Sequence, residues 1–324
     1  MKPTKTERSK TLLQTTRGFA RGGIVASALA GVFALAGAAH GQNRAAGAAA
    51  AAGTFEVRLH RPLRVGYRDR IEARGETHTT TVVSAPHRPP QTRREDESVQ
   101  LRAIERVQTV DAHGKPLQVE FTIEHFQTTD PAGQHDVLAA GTVMTVTRRP
   151  RGQGEPTVTV NGAPVEATVR RALSVVFTLT VDATTDDEVF GTATRQAVGA
   201  NWSVNVPAIE HELAESGAQP TVTGVVRLVR HAPSHNIDCL EYGMVIDATM
   251  HGMSNPPAGV TFRSGAMHSV GRSVVPLNAN NPEVESDIDM TMDMVVERPL
   301  DQQGTLGEVH VTTRRMKQAV HTPL

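Results

Sequence analysis

Methionine and histidine side chains gather in the C-terminal part of the sequence, where their spacing could create a soft metal site. Of the nine methionines that follow Met1, eight lie beyond residue 243. Met250, His251, Met253 and His268 offer the thioether and imidazole ligands that suit Cu(I). Methionine also fills irregular cores, because its flexible side chain adapts to the available space. Since soft ligands alone do not make a site, we predict no metal and no cofactor, and keep these four residues as the alternative copper site.

The residues needed for nucleophilic catalysis do not occur in a recognisable pattern. Cys239 is the only cysteine, and His235 and Asp238 precede it closely. Catalytic triads are assembled in space, so closeness along the chain is weak support for one. The sequence contains no Gly-x-Ser-x-Gly elbow and no His-Glu-x-x-His zinc motif. We therefore predict that the protein is not an enzyme and that Cys239 is a small, half-buried residue.

The elements that carry these residues show the period-two alternation of strands with one apolar and one polar face. Leu240, Tyr242 and Met244 open one such series. In a second series, Met290, Met292 and Met294 alternate with Asp287, Asp289 and Asp293. The aspartates are expected to form a solvated face. Further strands are predicted over 55–60, 65–83, 98–110, 117–124, 137–148, 156–160, 221–231, 259–275 and 305–316, joined by hairpin turns and by a mobile loop over 84–96.

Two helices are predicted in the middle of the chain. Apolar residues from Val165 to Phe177 recur at helical spacing and form one stripe. A shorter helix is predicted over 208–214, between Pro207 and Gly217. The fold prediction is mainly β: a large curved antiparallel sheet, or open half-barrel, with one central amphipathic helix against its concave face. The side chains predicted to line that face are Met244, Ile246, Met290, Met292, Met294, Val169, Leu173 and Phe177.

The N-terminus has the order of charge, apolar run and small residues that is typical of a secretory signal. We predict a signal peptide over 1–41, a low-complexity linker over 42–53 and one β-rich domain over 54–320. This domain could also consist of two halves, 54–163 and 219–320, around the helical midsection. The predicted location is periplasmic or extracellular, with no lipid anchor because no cysteine lies near the cleavage site, and with no stable transmembrane span after cleavage.

Composition restricts the class of partner. The whole chain carries a net charge of −1, and its basic N-terminus leaves the rest acidic, which argues against nucleic acid. Aromatic residues make up only 3% of the chain, which argues against carbohydrate-binding surfaces built from exposed rings.

Three stretches carry a resemblance to a group of uncharacterised exported β-rich bacterial proteins, a domain of unknown function: Asp187–Gly191 followed by Val198–Val204, then Val270–Leu277, and finally Glu285–Met294. More distantly, this pattern is similar to the half-barrel of lipoprotein carriers, whose concave face holds acyl chains. The resemblance covers the C-terminal half and implies a lipid-shuttling or apolar-ligand role. It brings no catalytic residue with it.

These observations favour an exported, non-enzymatic protein that binds or carries an apolar ligand or lipid on its concave sheet face. One alternative is a structural or assembly factor that binds another envelope protein through an open sheet edge. The other alternative is the copper-handling protein.

Overall fold

The computed structural model describes residues 53–150, 154–301 and 304–324; the predicted signal peptide and nearly all of the linker lie outside them. The strands of the first half are β1 Thr54–Phe55, β2 Arg68–Ala85, β3 Arg88–Val110, β4 Pro116–Asp130, β5 Gly133–Asp136, β6 Val143–Thr147, β7 Arg149–Pro150, β8 Thr157–Val160 and β9 Ala163–Pro164. The midsection and second half contain β10 Thr180–Val181, β11 Gln196–Ala197, β12 Asn201–Ser203, β13 Ala218–Ser234, β14 Ile237–Met253, β15 Thr261–Pro276, β16 Glu285–Pro299 and β17 Leu306–Pro323. The helices are α1 Ala167–Val176, α2 Asp186–Phe190 and α3 Val206–Glu215.

Thirteen of the described strands form one antiparallel sheet. Its order is β12-β13-β14-β15-β16-β17-β2-β3-β4-β6-β8-β9, with β5 paired to β4. Strand β17 therefore joins a C-terminal run of hairpins, β13 to β16, to an N-terminal run, β2 to β4. The short strands β1 and β11 pair separately, as do β7 and β10. Both runs thus contribute to a single continuous sheet.

Alternation along the strands gives this sheet a buried inner face and a solvated outer face. On β16, Ile288, Met290 and Met292 point to the inner face and are buried. Asp287 and Asp289 alternate with these residues and point outward. Asp287 pairs with Arg272 on β15, and Asp289 pairs with Arg314 on β17. Rows of opposite charge across strands support the sheet and keep the outer face hydrated.

Two apolar cores cover the inner face. The first core lies on β13 to β16, where helix α3 packs against β13. The N-terminal segment between β1 and β2, which contains Val57 and Leu59, joins the same cluster. The second core lies on β2 to β4, β6 and β8, beneath helix α1. Trp202 Nε1 donates a hydrogen bond to the Phe190 carbonyl oxygen at 2.7 Å, which links α2 to β12. The helices and the N-terminal segment together form a cover over the sheet.

Helix α1 lies directly on the sheet at Gly75. A Cβ atom at this position would lie 2.4 Å from the carbonyl oxygen of Val175, so only glycine allows this approach. The helix contacts β2, β3 and β17. Arg171 on the helix binds Glu97 on β3, with Nε 2.9 Å from Oε2. The amphipathic stripe of the sequence is thus the face that packs on the second core.

The fold-class prediction is confirmed: the chain is mainly β, with a large open antiparallel sheet and a few short helices. Both predicted helices exist, and Asn161 and Gly162 have positive φ angles in the turn between β8 and β9. No helix in the described ranges is long and apolar enough to cross a membrane.

Some local predictions were wrong. Residues 84–96 do not form a mobile loop, because β2 runs to Ala85 and β3 resumes at Arg88. Their charged and proline residues suggested a loop, but most of them are exposed in a hairpin that extends beyond the cores and needs no apolar face. Strand 55–60 shrinks to β1, because residues 56–60 have no regular secondary structure, and strand 137–148 shrinks to β6, because a turn at residues 140–141 precedes it.

Candidate functional site

The predicted apolar lining does not form one open surface in this structure. Met244, Ile246, Met290 and Met292 belong to the first core, each at most 5% exposed. Val169, Leu173 and Phe177 belong to the second core, and Met294 lies in a smaller cluster with Val296 and Val309. The rows share the inner face of the sheet, but side chains fill the space above them. An apolar ligand at these residues remains a prediction, and it would require the cover to move.

The four residues of the alternative copper site are not brought together. Met250 is buried on the inner face, whereas the next residue, His251, is exposed and contacts Thr221. His268 lies on the outer face, with Nδ1 2.7 Å from Oδ1 of Asp247. Met253 is half-buried at the end of β14. The two imidazoles therefore point away from the buried methionine row.

Cys239 is almost fully buried, at 1% exposure, beside Val274 and Val284. Burial raises the pKa of its thiol. His235, which precedes it in the β13–β14 turn, is 3.7 Å from Glu285 and does not face the sulfur in any contact that the structure describes. This environment is that of a packed residue with low thiolate content.

The strongest candidate site is an acidic cavity at the end of the sheet where β2 begins. It has a volume of about 240 Å³. Six carboxyl side chains line it, against three Arg or Lys side chains and two histidines. The carboxyl groups are those of Asp69, Glu105, Asp182, Asp186, Glu212 and Glu283, and the basic groups are Arg61, Lys115, Arg148, His60 and His321.

Two of the three lining cations are already engaged with the main chain. Lys115 Nζ donates to the carbonyl oxygens of Asp182, at 2.7 Å, and Thr184. Arg61 donates to the carbonyl oxygens of Asn278, at 3.1 Å, and Arg58, at 2.7 Å. Their positive charge still acts on the cavity, but these hydrogen bonds are donated to main-chain carbonyl oxygens and not to the carboxylates. The cavity therefore holds an excess of acidic groups.

The centre of this cavity is a cluster of Asp69, Glu105 and His321. Asp69 on β2 stands directly opposite Glu105 on β3, and His321 projects from β17 on the other side of β2. Oδ2 of Asp69 lies 2.6 Å from Nδ1 of His321. One donor atom from each of the three side chains lies within 4.8 Å of the others. Asp69 is 1% exposed and Glu105 is 5% exposed.

Burial changes the protonation of the groups around the cluster. It raises the pKa of Glu105, with a further rise from the charge of Asp69. It also raises the pKa of Glu283 to about 8 and that of Asp186 to about 7. Burial alone would lower the pKa of His321, but its hydrogen bond to Asp69 and the nearby carboxylates raise it above the ordinary value. Without a bound cation, part of the negative charge is thus neutralised by protons.

Four buried polar atoms around the cavity have no hydrogen-bond partner within the described residues: Tyr67 Oη, Asp69 Oδ1, Arg148 Nε and Arg61 Nε. Buried polar atoms are nearly always satisfied in folded proteins, so each such exception needs a physical reason. Four exceptions on residues that line one cavity make it the strongest candidate binding site.

The wall of the cavity is held by local capping chemistry. Thr185 begins helix α2 with a capping box, in which its side chain and that of Glu188 bind each other's backbone N–H groups. Asp187 in the same turn accepts hydrogen bonds from the backbone N–H groups of Leu59, at 2.6 Å, and His60, at 3.2 Å. These bonds fix the N-terminal segment across the cavity.

A wider groove of about 300 Å³ runs beside the N-terminal segment, between Glu56 and Arg195. It is open to solvent and lined mostly by exposed or half-buried residues, including Arg58, Thr192 and Thr194. We regard the acidic cavity as the better candidate because its titratable groups are buried and close together.

Sequence reasoning missed this cavity. A usable sign was present: Glu105 occupies an apolar position of its strand, between Ala103 and Val107, and Asp69 shares a face with Ile71. A carboxyl group on the apolar side of an alternating strand predicts either a buried partner or a ligand. The partner itself, His321, could not be identified, because it lies 252 residues from Asp69.

Comparison with known proteins gives only remote similarity. No protein-family model and no curated protein sequence matches the chain. A structure of lipovitellin, solved for its lipid–protein interactions, is similar over 79% of this chain with 9% identity and a TM-score of 0.33. The match spans 25% of the lipovitellin chain, so this protein corresponds to about a quarter of that length.

Two bacterial structures are similar over most of both chains. A DUF1329-family protein from Desulfovibrio piger matches 74% of this chain and 83% of its own, with 7% identity and a TM-score of 0.16. A LolA-superfamily protein from Nitrosomonas europaea matches 79% and 87%, with 8% identity and a TM-score of 0.12. Scores this low carry no argument about function, and the resemblance inferred from the sequence remains a prediction beyond the β-rich fold.

Proposed function

We propose that this protein is a non-enzymatic binding protein that holds a small cation in the acidic cavity. The observation that carries the proposal is the excess of carboxyl groups around one cavity, six against three Arg or Lys side chains. Of the six acidic residues, Asp69, Glu105 and Glu212 are buried and the other three are half-buried. A buried carboxylate is costly unless a cation or proton neutralises it. A cationic ligand would supply that neutralisation and would satisfy unpaired acceptor atoms such as Asp69 Oδ1.

Size supports a small ligand. A volume of about 240 Å³ is below the usual range of drug-sized pockets and suits a metal ion with its water ligands or a short organic amine. The bonds from Asp187 to the N-terminal segment hold one wall of the cavity in place. Binding in such a site is expected to stabilise the folded state.

Isothermal titration calorimetry at pH 7.5 tests this proposal with four probes: Zn²⁺, Mn²⁺, Ca²⁺ and 1,4-diaminobutane. We expect saturable binding of at least one probe. Asp186→Asn and Glu283→Gln should each weaken it about tenfold, because each removes a carboxyl group that would lose its proton and become negatively charged beside a bound cation. Asp238→Asn is the matched control, since the Asp238 carboxylate is 60% exposed on its side chain and lies away from the cavity.

Two results would refute the proposal. One is the absence of saturable binding for all four probes. The other is binding that Asp238→Asn weakens as much as the two cavity variants do, because the interaction would then be with the acidic surface in general.

A second candidate is the carriage of an apolar ligand, supported by the row of methionines on the inner face. Met244, Met290 and Met292 form part of a continuous apolar floor. Displacement of the cover would expose this floor, and flexible thioethers adapt well to varied apolar ligands. N-phenyl-1-naphthylamine fluorescence tests it: saturable enhancement that Met292→Gln reduces and the half-buried Met316→Gln leaves intact would support carriage.

A partner protein at a sheet edge is the third possibility inferred from the sequence. The edge strands β12 and β9 have three and two residues. Strand β12 pairs only with Val225–Arg227 of the 17-residue β13, so a partner strand could still pair with the rest of that edge.

A further inference from the structure

The register of three neighbouring strands places a mixed carboxylate and imidazole cluster inside the acidic cavity. Asp69 and Glu105 are paired across β2 and β3, and His321 is on β17, which pairs with the other side of β2. The side chains of Asp69 and His321 are 2% and 22% exposed. Because all three residues project from strand positions within one sheet, their relative positions are fixed by the ladder and not by a loop.

The donor atoms are close enough to share one ion. One donor atom from each residue lies within 4.8 Å of the other two, which is close to the separation of ligands around a single metal ion. Two carboxylates with one imidazole suit first-row divalent ions such as Zn²⁺ and Mn²⁺ better than Ca²⁺, which prefers a set of oxygen ligands alone.

Hydrogen bonding within the cluster already orients two of these groups. Oδ2 of Asp69 is 2.6 Å from Nδ1 of His321, which fixes the imidazole ring. Carboxylates that hold a histidine in this way are typical partners at metal sites. An ion bound by both residues would take the place of the proton between Nδ1 of His321 and Oδ2 of Asp69, and Oδ1 of Asp69 would stay available as a further donor.

An independent observation points to a ligand at the cluster. Asp69 is 1% exposed, yet its Oδ1 atom has no hydrogen-bond partner within the described residues. Tyr67 Oη is also buried without a partner, and it is close enough for the charges of Asp69 and Glu105 to act on it. A purely structural Asp–His pair would not leave a buried carboxylate oxygen unpaired beside an open volume.

We propose that Asp69, Glu105 and His321 bind a divalent transition-metal ion whose remaining coordination positions face the acidic cavity. This inference rests on the proposed function and specifies its ligand. The cavity then provides space for water or another small ligand on the ion. Arg148, whose guanidinium lies near Glu105, borders that space.

The chain contains its own matched control. Asp247 and His268 form a second Asp–His pair, with Oδ1 and Nδ1 2.7 Å apart, but their side chains are 58% and 54% exposed on the outer face. The two pairs have the same chemistry and differ in burial and in the presence of a third ligand. Substitutions in the exposed pair therefore measure the effect of a surface Asp–His contact alone.

The experiment uses the full folded domain, stripped with EDTA and titrated with Zn²⁺ in native mass spectrometry and calorimetry. We expect one Zn²⁺ per chain. Asp69→Asn, Glu105→Gln and His321→Gln should each weaken binding by at least tenfold, as is usual for loss of a metal ligand. Asp247→Asn and His268→Gln should leave it unchanged. Circular dichroism identifies any variant that fails to fold.

A measurement on the unsubstituted protein keeps the test independent of folding. Co²⁺ bound by carboxylate and imidazole should give a visible absorption band that one equivalent of Zn²⁺ removes. Absence of this band, or Zn²⁺ binding that survives all three substitutions, overturns the inference. If 1,4-diaminobutane binds and Zn²⁺ does not, the metal site is wrong and the proposed function stands. If none of the four probes binds, both are wrong.

Discussion

Asp69 and His321 lie 252 residues apart in sequence, yet their side chains meet with Oδ2 and Nδ1 2.6 Å apart. Strand β17 makes this contact by pairing with β2 in the middle of the sheet. The pair lies between the two runs of hairpins, and it belongs to the wall of the acidic cavity.

The coupling energy between Asp69 and His321 should be larger than that between Asp247 and His268, the exposed pair on the outer face. A double-mutant cycle with Asp69→Asn and His321→Gln is expected to give about 1–3 kcal/mol, because the hydrogen bond is charged and mostly shielded from water. The same cycle on Asp247 and His268 should give about 0–1 kcal/mol, as expected for an exposed pair. Urea unfolding at pH 6 with EDTA measures both cycles. Equal coupling energies would contradict the role assigned to burial.

Gly75 should be intolerant of any side chain. Gly75→Ala would place Cβ 2.4 Å from the Val175 carbonyl oxygen, so helix α1 must shift away from the sheet. We expect a loss of about 1–3 kcal/mol in the free energy of unfolding, the usual cost of overpacking. Gly243→Ala is the control, because its Cβ would lie 3.3 Å from the Val229 side chain and 3.9 Å from the Gly271 carbonyl oxygen, without overlap with the backbone. Similar losses for the two variants in urea unfolding would show that the helix does not depend on this close approach.

Lys317 should make the free energy of unfolding depend on pH between about 7 and 10.5. Burial, together with the nearby Arg315, lowers its pKa from 10.5 to about 7. Between these values the unfolded chain binds more protons than the folded chain, so this residue makes the free energy of unfolding rise with pH. Lys317→Met should therefore stabilise the protein most at pH 6 and progressively less towards pH 10.5.

Thermal unfolding across this pH range tests the Lys317 prediction. Gln318→Met is the control on the exposed neighbour and should give a difference that does not vary with pH. A pH-independent effect of Lys317→Met would mean that the lysine stays charged in the folded protein.

Asp187 should hold the N-terminal segment in place against the rest of the fold. Asp187→Ala removes the acceptor for the backbone N–H groups of Leu59 and His60, so this segment should detach more often. We expect faster tryptic cleavage after Arg58 and Arg64, read by mass spectrometry; Pro62 protects the bond after Arg61. Asp238→Ala, which removes an exposed carboxylate, should not change the cleavage rate. Unchanged cleavage in Asp187→Ala would show that other contacts hold the segment.

Side-chain alternation predicted most of the long strands and the two main helices, because both follow from local periodicity. It did not predict the hairpin arm at 84–96, since polar residues without an apolar face are compatible with either a loop or an unsupported strand. Alternation also identified the inner face correctly for Met290 and Met292. It could not show that the helices and the N-terminal segment fill the space above them.

The candidate site depends on contacts that no local pattern contains. Glu105 is recognisable only when it is compared with the buried Ala103 and Val107 on the same face of its strand. Asp69 lies between two arginines, Arg68 and Arg70, which makes it resemble a surface residue. The approach of His321 follows from strand order, and strand order was not determined by the hairpins alone. Long-range pairing therefore decided which of the charged residues became buried.

The central place of β17 has a consequence for the order of assembly. Each hairpin run can form from neighbouring segments, but the join between β17 and β2 closes a loop of more than 200 residues and is expected to be the slow, late event. Until that event, His321 is remote from Asp69 and the ion-binding cluster does not exist. The time at which metal binding appears during refolding would then report when β17 pairs with β2.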